Sequence, residues 1–128
     1  MEKLRYKQRF ENFQKSYLLL ESSLAIEKPS IIEKGGCIQF FEITFELSWK
    51  LMKDFLEYNG YQIRSPRDAI KQAFSFGLIN HGDVWIDALM DRNLTVHTYE
   101  ESVANDVFQK IKTIYFPLLK DLYTYFRE

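Results

Sequence analysis

A chain of 128 residues, 46% hydrophobic and 27% charged, is long enough to bury one core and too apolar for a disordered segment. Its formal net charge of -1 gives no general attraction to polyanions, so any contact with nucleic acid must be local. The single Cys37 excludes an intrachain disulfide framework, and with no signal-like start or spanning apolar run the expectation is a soluble, cytoplasmic protein without membrane contact.

Apolar residues recur at helical spacing along the chain, and no strand alternation, internal repeat or low-complexity tract competes with that pattern. Phe10, Phe13, Tyr17, Leu20 and Leu24 predict an amphipathic helix over about residues 3 to 26, ended by Lys28-Pro29-Ser30. Ile31 to Gly36, with its two glycines, reads as a connector. From Cys37 the set Ile38, Phe41, Phe45, Trp49, Met52 and Leu56 predicts a second long helix, stopped by the left-handed signal Asn59-Gly60. Ser65 as cap, Pro66 at the first helical position and Asp68 in the first turn open a short helix through Phe76, which Gly77 closes. Asp83 is positioned to cap a fourth helix over about residues 84 to 93, with Trp85, Ala88 and Leu89 on its inner face. Thr98 and Glu101 read as a capping box, and a last helix from Tyr99 to about Phe126 should bury Val103, Val107, Ile111, Ile114, Leu118 and Leu122.

Five helices of unequal length predict an all-α, up-and-down antiparallel bundle, four main helices plus one short helix crossing an end, in a single domain. Eleven Phe and eight Tyr exceed what one small core obviously needs, and the surplus faces point to a second copy about a two-fold axis.

The densest chemistry lies in Arg92-Asn93-Leu94-Thr95-Val96-His97-Thr98-Tyr99. A guanidinium that never deprotonates, beside an imidazole that titrates near neutrality, suits chemistry on a phosphodiester. On an unbroken helix Arg92 and His97 would stand about 140° apart, so the β-branched Thr95 and Val96 and the cap at Thr98 matter: a break there lets the two converge. Tyr99 would then sit by a helix N-terminus, which favours an anion. Taken singly, His97 is more commonly a solvent-facing loop residue and Tyr99 a packing residue. Glu42 and Glu46, four apart on one face, are candidates to support the motif in acid/base work, with surface charge or a salt bridge to Lys50 as the plainer reading. Arg64, Arg67 and Lys71 around Asp68 form a basic cluster whose plainer reading is a solvated face. His81, in Asn80-His81-Gly82, reads as a turn residue. Two distant histidines and one cysteine supply no zinc set, no Gly-rich phosphate loop is present, and no metal or cofactor is expected. A nucleotidyltransferase centre of its own would need carboxylates clustered on strands.

The order Arg92, Asn93, three residues, His97, one residue, Tyr99 resembles the R-x4-H-x-Y motif of the HEPN superfamily, specifically its HepT-like members. Gln39, Glu42, Phe45, Glu46, Trp49 and Lys50 within QFFEITFELSWKLMKDFL, then SPRDAIKQAFSFGLI at 65–79, resemble the branch described as nucleotidyltransferase substrate-binding proteins. The similarity runs from about residue 10 to about residue 120. The resemblance implies a small helical bundle, a homodimer, that pairs with a minimal nucleotidyltransferase in a two-component, toxin-antitoxin-like system. It implies Arg92 and His97 as a catalytic pair, Asn93 as their supporting neighbour, and Tyr99 as an AMP acceptor or part of an anion pocket. Two functions follow as expectations. In one the chain is the nucleotide- or substrate-binding companion of that enzyme. In the other it is a metal-independent ribonuclease whose dimer cleft joins two His97, one as base and one as acid, with two Arg92 facing the RNA phosphate.

Overall fold

A computed structural model describes residues 2–92 and 100–127, and these residues form an all-α bundle with no strand among them. The helices are α1 (Glu2–Leu24), α2 (Ile31–Tyr58), α3 (Pro66–Phe76), α4 (Gly82–Asp91), α5 (Glu101–Lys110) and α6 (Phe116–Arg127). A single π turn, Ile111–Tyr115, joins α5 to α6 as one rod. Among the described residues no helix is long and apolar enough to cross a membrane.

The order of contacts fixes the topology. Arg9 Nε donates to Asp54 Oδ2 at 2.9 Å, while further along α1 the Ser16 hydroxyl meets that of Thr44, so α1 and α2 run antiparallel. On α6, Tyr123 stacks on Tyr17 at 4.3 Å and Phe126 lies 6.0 Å from Phe10, so the last rod runs antiparallel to α1 and parallel to α2. Short α3 crosses the far end of α2, where Phe76 meets Phe55 edge-on at 5.7 Å. α4 packs beside α3 and the π turn and lays Trp85 against Phe45 of α2 at 5.9 Å. Phe13, Tyr17, Leu20, Ile38, Phe41, Phe45, Leu51, Met52, Leu56 and Trp85 are all buried at the centre, each contributing about 1.5–3 kcal/mol of apolar burial. Burial also pushes the Cys37 thiol up from its ordinary range, which leaves it an inert packing group.

The α3 signals act as predicted: Asp68 N donates to Ser65 Oγ at 3.0 Å, Pro66 occupies the first turn, and Gly77 closes the helix at φ 90°, a conformation that a side chain would strain. Three boundaries differ from expectation. The stretch Ile31 to Gly36 is not a connector but the start of α2. Ser30 and Glu33 form a reciprocal capping box, Glu33 N to Ser30 Oγ at 3.1 Å and Ser30 N to Glu33 Oε1 at 2.9 Å, and this nucleus carries the helix through both glycines. α4 begins at Gly82 rather than after an Asp83 cap; His81 turns the chain at φ 56° and its carbonyl accepts from Val84 and Trp85. Gly82 allows this because a Cβ there would stand 3.1 Å from the Phe74 ring.

The third difference concerns the last helix, which begins at Glu101 and exposes Ile114 instead of burying it. Pro117 explains the change of face. It has no N–H, and its ring would strike the carbonyl four residues back in a regular α-helix. The chain widens instead, with the Phe116 N–H bonded to the Ile111 carbonyl five residues back. One extra residue in that turn rotates the register, so Tyr115 points inward and Ile114 outward. Val103 is half-buried, and Val107, Ile111, Leu118 and Leu122 lie in the core as predicted. Thr98, the first half of the expected cap, lies outside the described residues.

Candidate functional site

Arg92 follows the last residue of α4, with its backbone N–H bonded to the carbonyls of Ala88 and Met90. Its guanidinium pairs through Nη1 with Glu46 Oε1 on the middle of α2. The other carboxylate oxygen, Oε2, accepts from Trp49 Nε1 at 2.7 Å. Trp49 lies one helical turn beyond Glu46, so its indole holds the carboxylate from the helix that carries it. The partner of Glu46 is therefore Arg92 and not Lys50, whose ammonium lies over the Trp49 ring at 5.9 Å. Glu42, one turn earlier, is solvent-exposed. The side chain of Arg92 is 32% exposed and that of Glu46 43%, so the pair adds little to stability but sets where the guanidinium sits.

The residue before the arginine is held as well. Asp91 Oδ2 accepts from the Tyr115 hydroxyl and from Lys110 Nζ, the latter at 3.1 Å. Burial, then the hydrogen bond to Asp91 and the charges of Asp91 and Asp87, push the Tyr115 phenol well above its ordinary range. Tyr115 therefore remains a proton donor to Asp91 across the physiological range. Asp91, Lys110 and Tyr115 line an open cleft of about 470 Å³ together with Phe41, Val103, Asp106, Val107 and Gln109.

The end of α4 is thus fastened twice, through Arg92 to α2 and through Asp91 to the π turn. A guanidinium presents its N–H donors in one plane, a geometry suited to carboxylate and phosphate oxygens. Asn93, His97 and Tyr99 lie outside the described residues. Arg64, Arg67 and Lys71 are all exposed on and beside α3, a solvated face, and His81 occupies its turn. Sequence reasoning missed Asp91, Lys110, Tyr115 and the indole bond of Trp49. The available signal was Pro117, which marks a change of helical register before it.

A sequence family described as "Nucleotidyltransferase substrate binding protein like" matches residues 8–128. A Haemophilus influenzae protein described as a probable ribonuclease HepT is 34% identical over 92 residues, covering 66% of this chain and 63% of that protein. The match therefore spans less than two thirds of that relative's length. A crystal structure from Thermus thermophilus superposes with a TM-score of 0.82 at 32% identity, covering 91% of this chain and 99% of the other. A second structure, from Haemophilus influenzae, is described as revealing the fold of a substrate binding domain of a nucleotidyltransferase. It superposes with a TM-score of 0.65 at 26% identity over 96% of this chain and 97% of its own.

Proposed function

The chain belongs to the nucleotidyltransferase substrate binding protein like family, and from that premise we propose that it is the substrate- or nucleotide-binding companion of a small nucleotidyltransferase. The observation that carries this reading is the extent of the family match, residues 8–128, which takes in both the Glu46 helix and the Arg92 segment. The companion works as a cytoplasmic homodimer in a two-component system of toxin-antitoxin type. Arg92, oriented by Glu46 and Trp49, receives a phosphate of the nucleotide or acceptor. His97 and Asn93 complete the anion pocket, and Tyr99 is the acceptor if the partner transfers AMP to this chain.

The test is co-purification with a small nucleotidyltransferase encoded beside this chain, followed by ATP binding to the complex with wild type and Arg92→Ala. The expected result is a complex in both cases, with ATP held at least tenfold more weakly by the variant, a change of about 1.4 kcal/mol. Absence of a complex overturns the companion role. A complex with unchanged ATP affinity overturns the role of Arg92.

A second reading is supported by the relative described as a probable ribonuclease HepT and by the R-x4-H spacing of Arg92 and His97. The chain would then cleave RNA without metal, two copies supplying His97 as base and as acid while Arg92 faces the phosphorane-like transition state. Cleavage of end-labelled RNA in EDTA by wild type and not by His97→Ala is the expected outcome under this reading. Intact mass identifies a preparation silenced by added AMP, and an unmodified wild type that cleaves nothing removes the reading.

A further inference from the structure

We infer that Asp91 is a positioning residue for Arg92, held in place by the Tyr115 hydroxyl and the Lys110 ammonium; its functional meaning rests on the reading above that Arg92 receives the phosphate. Four observations converge on it. Asp91 and Arg92 are consecutive, so fixing one side chain fixes the backbone from which the other departs. Asp91 stands in the last turn of α4, the negative end of the helix dipole, where a carboxylate is disfavoured unless cations and donors meet it. Both meet it here, from the same neighbouring rod, on the same oxygen. And Tyr115 reaches it because the π turn before Pro117 rotates that residue inward.

The two fastenings approach from different helices. Glu46 holds the guanidinium itself from α2, while Tyr115 and Lys110 hold the preceding carboxylate from the π turn and the end of α5. Together they remove freedom at the place where α4 ends and the chain passes into the motif. A long arginine side chain samples several rotamers, and anchoring the backbone beneath it narrows them.

The experiment reads the position of Arg92 directly and its use separately. In arginine-15N-labelled protein, the Arg92 Nε–Hε signal is assigned by its loss in Arg92→Lys and then followed in Tyr115→Phe, Asp91→Asn and Lys110→Met. Lys110 is close to half exposed, so Lys110→Met keeps the assay informative if a variant at the buried tyrosine fails to fold. The expected result is a shifted or broadened Arg92 signal in all three, with melting temperatures of the folded variants near wild type and function reduced about tenfold in Tyr115→Phe. Function here means ATP binding by the complex or RNA cleavage, whichever the wild type performs. An Arg92 signal identical to wild type in the folded variants overturns the inference. If Arg92→Ala leaves ATP binding and RNA cleavage unchanged, the functional reading falls, and the NMR comparison still decides whether Asp91 holds Arg92.

Discussion

The aromatic seam between α1, α2 and α6 and the polar fastening at the end of α4 are held together by different physics. In the seam, Tyr6, Phe10, Tyr17, Phe55, Tyr123 and Phe126 meet ring to ring at 4.3 to 6.2 Å, stacked, tilted or edge-on. Such contacts contribute through buried area and about 0.5–1.5 kcal/mol per pair beyond it, and they tolerate many ring angles. At the end of α4, four side chains from α2, α5 and the π turn, Glu46, Trp49, Lys110 and Tyr115, hold Asp91 and Arg92 with directional bonds that remain partly open to water. Little stability resides there. The bundle separates the task of staying folded from the task of aiming a charge.

The largest effect should come from the hydrophobic side of the comparison. Phe13→Ala, at a fully buried ring, should lower stability by about 3–5 kcal/mol, read by urea or thermal denaturation. A loss under 1 kcal/mol would mean that the core closes around the gap. Next comes alkaline pH. Burial, with Glu21 and Tyr123 nearby, pushes the Tyr17 phenol up to about 12 from 10.0. Because the folded value is raised, stability is intact below pH 10 and falls as pH rises towards 12, by about 1.4 kcal/mol per unit of difference. Tyr17→Phe should flatten that part of the curve in a pH-resolved melt. Ser30→Ala should cost about 1 kcal/mol through loss of the α2 cap, a value that calibrates the terms lying outside both regions. The smallest change in stability is expected from Glu46→Gln, under about 1 kcal/mol, because the pair it weakens is partly exposed to solvent. Yet this variant should impair ATP binding or RNA cleavage more than any seam variant that still folds. If Glu46→Gln proves as destabilising as a core truncation, the two regions are not separate after all.

What could be read along the chain was whatever is encoded within a turn or two. Ser65, Pro66, Asp68 and Gly77 bracket α3 by local backbone chemistry, and the spacing of Phe13, Tyr17 and Leu20 or of Phe41, Phe45 and Met52 marks the buried faces. Gly35-Gly36 carries the local signature of a connector, but the equally local Ser30/Glu33 box overrides it. Ile114 lies on the opposite face from the one periodicity predicts, because periodicity presumes 3.6 residues per turn and Pro117 changes that count. At the candidate site, Arg92 stood out by residue type, but its pairing with Glu46 spans 46 positions and that of Asp91 with Tyr115 spans 24. Distances of that kind are decided by how α4 docks, which no local pattern reports.

The two glycines inside α2 have a further consequence, for the order in which the molecule opens. A methyl group at either would meet nothing within 4 Å, so neither is there to make room for a neighbour. Each weakens the helix by about 1 kcal/mol relative to alanine. They lie just where Lys34 reaches across to Asn105 at 2.8 Å and over the Phe108 ring. The first turns of α2 are therefore its weaker end, whose amides should exchange with solvent before those around Leu51 and Met52. Opening of α2 should therefore begin at its N-terminal turns, while the aromatic seam stays shut.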